Sequence, residues 1–405
     1  MSDDRNDVLI TGIGLVSSLG EGLDAHWQAL ALSGERPFPA ETVKFHPFPV
    51  FPMVSLELDK QIPRRADQRQ MEAWQRLGTY TAGLALADAG VAGDGALLAR
   101  MDMVVAAGGG ERDVVVDGQI LEGLETAAEP MPFLNEHLAS DLRPTLFLAQ
   151  LSNLLAGNIS IVHKVTGSSR TFMGEEIAGV SAVEVAARRI RAGQGDLFLV
   201  GAAYNAERKD MLLSLAMGRT LWQGEPDSVW ARGASGKGGM ITGSAGAFLV
   251  LESRAHAEAR GKEAYAKLGG VLSGRSRRRP GEAAALARAQ FETLAATFEG
   301  AVPGVLSGAN GIAATTQEER ALWLQLAEEG RIGGVRAMQT LIGNSIEAAF
   351  PIQIALAALA VSRRGFYRPT DASGIENAAT TPEKILATSW GFWRGEGMAL
   401  VEAAD

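Results

Sequence analysis

The chain has 405 residues, 46% apolar and 21% charged, proportions that suit a water-soluble protein with a large core. Its net charge of −9 speaks against general nucleic-acid binding, and no apolar run reaches the ~18–20 residues of a membrane span. It contains no cysteine, which excludes disulfides, thiolate metal sites and a cysteine nucleophile.

The start, MSDDRND, is acidic and polar, unlike a secretory signal, so a cytoplasmic address is expected. Asp7–Ile13 reads as a strand. The Pro-rich stretch 37–52 reads as a surface loop. Glu72–Gly90 carries the pattern of an amphipathic helix closed by Gly90. Met101–Ala107 is a predicted strand ending in Gly108–Gly110. That triplet lacks the Lys-Ser/Thr of a phosphate loop and reads as a strand-end turn. Leu142–Ala156 is apolar enough for a buried helix. Ser168–Met173 suits a short strand, Glu176–Ala192 a helix closed at Gly193, and Asp196–Ala202 a strand buried on both faces. Residues 203–240, rich in Gly, Trp and charge, read as a loop excursion.

The second half repeats this rhythm. Strands are expected at Ala247–Leu251, Leu268–Leu272, Gly304–Ser307, Val335–Met338, Lys384–Ser389 and Met398–Glu402. Helices are expected at Gly281–Phe298, Gln317–Glu329 and, very apolar, Ser345–Arg363, where Pro351 should kink the helix or remove a backbone bond. Each half places a tight glycine turn before a buried helix, at Gly174 and at Gly343. An internal duplication follows, with halves 1–252 and 253–405. The five histidines, His26, His46, His137, His163 and His256, show no metal-ligand spacing, and no metal or cofactor is expected.

Several segments together carry a family resemblance. DVLITGIGLVSSLGEGLDAHWQALALSGE resembles the opening of β-ketoacyl-acyl-carrier-protein synthases: a strand, a Gly-X-Gly turn, then Ser-X-Leu-Gly into a Trp-bearing helix. Arg64–Gly90 resembles that family's basic stretch and following helix, and Gly179–Gly201 its nucleophile helix and next strand. Gly239–Glu252 resembles its Gly-rich turn, with Ser244 for the usual Glu. Gly343–Ala349 and Ala387–Arg394 resemble its two closing motifs. The resemblance implies an α/β thiolase-like fold, two duplicated α/β halves in a five-layer αβαβα arrangement, and a dimer. The dimer would pair through the edge strand near 168–173, with Phe172 and Met173 at the interface.

Condensation needs a nucleophile that holds the acyl chain as a thioester, two imidazoles for malonyl decarboxylation, and two backbone amides as an oxyanion hole. The resemblance puts the nucleophile position on Glu176, the two histidine positions on Asn310 and Asn344, and the supporting lysine on Gln339. It puts the closing turn on Phe392, Trp393 and Arg394. Glutamate suits a helix N-terminus electrostatically but forms no thioester. Asparagine shuttles no proton near pH 7. Trp393 puts a ring where the family keeps glycine and is expected to narrow the pocket. The bland reading is a retired carboxylate and amides that keep an old hydrogen-bond shell satisfied.

Two basic groups, Arg64, Arg65, Arg69 and Arg275, Arg277, Arg278, Arg279, read either as solvated charge or as a patch for an acidic acyl carrier protein. The expected role is a catalytically inactive homologue acting as partner or scaffold. One form is a chain-length-factor-like subunit paired with an active ketosynthase. The other is a homodimeric adaptor for a protein client such as a secreted effector. The rival reading is an acyltransferase or malonyl decarboxylase with a non-standard site.

Overall fold

The computed structural model describes residues 4–32, 38–143, 146–147, 150–377 and 381–404. Strands of at least three residues and helices of at least nine define two sequential units. The first contains β1 (Val8–Ser17), α1 (Gly22–Ala31), α2 (Ala73–Asp88), β2 (Asp102–Ala106), α3 (Val114–Thr126) and α4 (Pro130–Ser140). It continues with α5 (Leu154–His163), β3 (Ser169–Phe172), α6 (Glu175–Arg191), β4 (Leu197–Tyr204), α7 (Lys209–Met217) and β5 (Ala245–Ser253). The second contains β6 (Ala266–Gly274), α8 (Glu282–Ala295), β7 (Gly304–Leu306) and α9 (Ala313–Glu328). Then come β8 (Gly334–Arg336), α10 (Ala349–Ser362), β9 (Lys384–Trp390) and β10 (Glu396–Glu402).

The duplication is visible in strand order. The first unit runs β1-β5-β4-β2-β3 and the second β6-β10-β9-β7-β8. The senses match as well: β2 is parallel to β3 and β4, as β7 is to β8 and β9, and the other two pairings in each unit are antiparallel. β1 also bonds β6 over Leu9–Ile10, joining the units edge to edge. Helices α2 and α5 cover one outer face, and α8 and α9 the other. Between the units lie α6 and α10, packed against strands of both. The fold is the five-layer thiolase-like α/β arrangement. Among the described residues no helix is long and apolar enough to cross a membrane.

The central layer explains two sequence patterns. α10 is buried around nearly its whole circumference, so it has no polar face to show. β4 is buried along all eight residues, as a strand covered on both faces must be.

Four expectations need correction. The Gly-X-Gly at Gly12 and Gly14 is no turn: β1 runs straight through it, with only a bulge between Ile10 and Gly12, and the glycines lie flat against α2. Pro351 neither kinks a helix nor breaks a bond. A 3-10 turn over Ile346–Ala348 precedes α10, and Pro351 falls in the first turn of α10, where amides have no intrahelical acceptor. The helix expected over Leu142–Ala156 is interrupted: Leu146 and Phe147 are helical, residues 150–153 are not, and a helix then runs from Leu154 to His163; residues 144, 145, 148 and 149 of that span lie outside the described residues. The excursion 203–240 contains α7 and a short helix over Val229–Ala234.

Gly179 sits in mid-α6 where the chain entering α10 crosses it. A Cβ there would come within 2.4 Å of the Glu347 carbonyl and 3.0 Å of Pro351 Cδ. Helix propensity alone favours alanine by about 1 kcal/mol, whereas overpacking against fixed backbone costs about 1–3 kcal/mol or more. The steric term should win, so Gly179→Ala should lower the unfolding free energy in urea by about 1–2 kcal/mol. A gain in stability would refute this account of the crossing.

Candidate functional site

The site forms where α6 begins. Gly174 (φ 127°) and Glu175 (φ 49°) turn the chain sharply out of β3 into the helix. For a glutamate the left-handed conformation is costly, so the surroundings must impose it. This turn aims Glu176, 2% exposed, into the central layer. Its Oε1 accepts from Asn344 Nδ2 at 3.0 Å and from the Phe392 backbone N–H at 3.1 Å, and the carboxylate also receives its own backbone amide. Oε2 is buried with no partner among the described residues. Burial pushes the Glu176 carboxyl above the ordinary range, against the bonds from Asn344, its own amide and Phe392.

Asn344 is fully engaged. Its Nδ2 serves Glu176, and its Oδ1 accepts the Ile346 N–H at 2.9 Å. The structure thus joins Glu176, Asn344 and Phe392. The other predicted positions bond elsewhere. Asn310 braces its own loop: Nδ2 donates to the Trp390 carbonyl at 3.1 Å, and Oδ1 accepts the Ile312 N–H at 2.9 Å. Gln339 Nε2 reaches the Gly308 carbonyl at 3.4 Å, and its Oε1 is buried without a partner among the described residues. Trp393 is 64% exposed and lines the pocket beside the site. Arg394 is exposed beside it.

Of the arginines, Arg64, Arg65 and Arg69 are exposed on and beside a short helix over Arg65–Gln70, as are Arg275, Arg277 and Arg279 after β6. Arg278 turns inward. Its guanidinium donates to the Gly391 carbonyl at 2.6 Å and pairs with Glu396 at 3.1 Å, pinning the closing turn. β3 is the outer strand of its unit, bonded only to β2 among the described residues. Phe172 is half-buried against the central core, while Met173 is 63% exposed.

Sequence reasoning missed Glu347. It lies in the 3-10 turn before α10, 6% exposed. Burial first, and the neighbouring Glu176 charge after it, push its pKa up to about 7. Gly108 faces it, and a Cβ there would come within 2.4 Å of Glu347 Oε1. Tyr204, Asn205, Arg208 and Trp74 surround a cavity of about 30 Å³ against the same carboxylate. The available signal was a lone acid in the otherwise apolar run 345–361.

Chemically, the site has two carboxylates, an amide and backbone donors, with no thiol or imidazole. The backbone donors are engaged by the resident carboxylate of Glu176.

Residues 5–257 match the family described as Beta-ketoacyl synthase, N-terminal domain. The chain is 24% identical over 272 residues to 3-oxoacyl-(acyl-carrier-protein) synthase 2 of Vibrio cholerae serotype O1, 66% of this chain and 62% of that protein. It is 28% identical over 270 residues to the actinorhodin polyketide putative beta-ketoacyl synthase 2 of Streptomyces coelicolor, 66% of this chain and 63% of that one. These matches span somewhat less than two thirds of the relatives' own lengths. The solved ishigamide ketosynthase/chain length factor is 21% identical with a TM-score of 0.79, covering 99% of this chain and all of that one. A type II polyketide acyl-carrier protein in complex with its ketosynthase bound to the hexaketide gives a TM-score of 0.76 at 17% identity, covering 98% and 99%. At these identities the structural likeness establishes the fold.

Glu347 makes a pH prediction with a definite sign. Its folded pKa of about 7 lies above the ordinary 4.5, so the folded state holds the proton more tightly. The protein should therefore lose stability through this group as pH rises from about 4.5 to about 7, by on the order of 3 kcal/mol. Glu347→Gln should match wild type below pH 4.5 and exceed it above pH 7 in urea unfolding. A difference independent of pH would contradict the assignment.

Proposed function

The chain belongs to the β-ketoacyl synthase family, and from that premise we propose that it is a non-condensing member serving as the partner subunit of an active ketosynthase in acyl- or polyketide-chain assembly. The observation that carries this reading is the self-occupied site. The Glu176 carboxyl oxygen sits on the Phe392 amide, and the group also receives its own amide, so an acyl carbonyl would have to displace a resident side chain to use them. No side chain there can form a thioester, and Asn310 and Asn344 are engaged in structural bonds.

Surface features support a subunit role. β3 presents an unpaired edge among the described residues, and exposed apolar side chains lie on α3 and α4, among them Val115, Leu121, Met131 and Leu138. The likeness to a ketosynthase/chain length factor structure points the same way. The exposed arginines 64, 65 and 69 offer a cationic rim that suits an acidic carrier protein.

Two measurements test the reading. Incubated with acyl- and malonyl-carrier protein, the chain should show no acyl adduct by intact mass and only background CO₂ release; turnover lost in Glu176→Ala would overturn the proposal. Co-expressed with the ketosynthase from its own gene neighbourhood, it should co-purify as a heterodimer by light scattering. A homodimer that ignores the ketosynthase and captures an unrelated protein would favour the adaptor role instead.

Carrier-protein docking makes a third expectation. Reversing Arg64, Arg65 and Arg69 to glutamate should weaken carrier-protein binding by the heterodimer at least tenfold at low salt, with less effect at high salt. Equal binding by both forms would remove this rim from the docking surface.

A further inference from the structure

Beside the self-occupied site lies a pocket of about 590 Å³, a size typical of small-ligand sites. Its walls are mostly apolar: Met211, Ile346, Phe392 and Trp393 contribute, with Leu215 further along. Two acidic residues, Glu175 and Glu347, line it, and among the described residues no Lys, Arg or His does. An anionic or acyl-carboxylate ligand would meet like charge from both sides.

Glu347 makes this more than a pair of surface acids. It is 6% exposed, yet it lines the pocket, and among the described residues its carboxyl receives a hydrogen bond only from its own backbone amide. Such a buried carboxylate is costly without a partner. Arg208, whose charge acts on Glu347, bonds the Gly109 and Gly110 carbonyls and Asp210, and lines the smaller adjoining cavity. That cavity shares Glu347 with the pocket and is lined by Tyr204, whose hydroxyl is buried without a partner among the described residues and can accept a bond. At the opposite end the exposed Trp393 ring offers a face on which a cation or apolar chain can lie.

We propose that this pocket binds a primary amine carried on an apolar body, the ammonium bonded to Glu347 and the apolar part running along Met211, Ile346 and Phe392 to Trp393. The three N–H donors of an ammonium match an acceptor-only carboxylate and the Tyr204 oxygen. The positive charge also offsets the mutual repulsion of Glu347, Glu176 and Glu175. The proposal is independent of the partner-subunit reading. The binding test below needs no ketosynthase.

The test is calorimetric titration of the purified chain at pH 8 with n-octylamine, n-octanoate and 1-octanol, each below its aggregation threshold. Octylamine should bind at least tenfold more tightly than octanoate. Glu347→Gln should weaken octylamine about tenfold or more, the order expected for losing a charge-assisted bond, and leave octanol unchanged. Trp393→Ala, at an exposed rim where folding is not at stake, should weaken octylamine about two- to fivefold. Melting curves confirm that both variants are folded. Octanoate binding as tightly as octylamine, octylamine affinity indifferent to Glu347→Gln, or no octylamine binding to folded protein would each overturn the proposal.

Discussion

One buried oxygen ties the molecule's active end together. Glu176 Oε1 belongs to the first helix of the central layer, and it holds Asn344 from the second unit and the amide of the closing turn at Phe392. These three segments are far apart in sequence and meet only because the fold is duplicated. α6 and α10 occupy equivalent places in the two units, so the segments that start them converge in the middle layer. A carboxylate at that convergence suits the helix N-terminus electrostatically, and burial raises the cost of its charge. The result is a hydrogen-bond node with Oε1 shared between two distant segments and Oε2 buried without a partner among the described residues.

The rest of the site follows from that node. Gly179 lets the chain entering α10 pass close to α6, and the same crossing brings Glu347 beside Glu176. Two carboxyls in one desolvated layer cannot both ionise cheaply, which drives Glu347 toward neutrality and leaves it facing the pocket. Around the closing turn, Asn310 and Arg278 hold the backbone from either side, on Trp390 and on Gly391. Amide bonding and cationic pinning thus hold the geometry of this turn.

The protein's exterior reflects its charge distribution as much as its core. The net charge is negative, yet Arg64, Arg65 and Arg69 gather on one short helix, while Arg278 is drawn inward by Glu396. Sequence proximity had grouped Arg278 with Arg275, Arg277 and Arg279; the buried Glu396 separates it from them. Arg278 adopts a left-handed backbone conformation (φ 58°) that turns it away from its neighbours, so a run of arginines after a strand does not make a single patch.

Much of the fold was legible in the sequence because it rests on local pattern. The fully apolar run of β4, the run of α10 and the glycine turns before both central helices marked buried strands and helices at nearly the right places. The lack of cysteine was likewise readable directly. The errors came where long-range packing outweighs local signal. Gly12 and Gly14 looked like a turn but serve a flat strand against α2, and Pro351 looked like a kink but falls where a helix start needs no amide. Which amides pair was decided only in three dimensions. Asn310 and Asn344 are the same residue type at comparable motif positions, yet one braces a loop and the other holds Glu176. Glu347 was one acid in an apolar run until the crossing of two helices buried it beside a second carboxylate, because desolvation and like-charge repulsion depend on neighbours that sequence distance does not reveal.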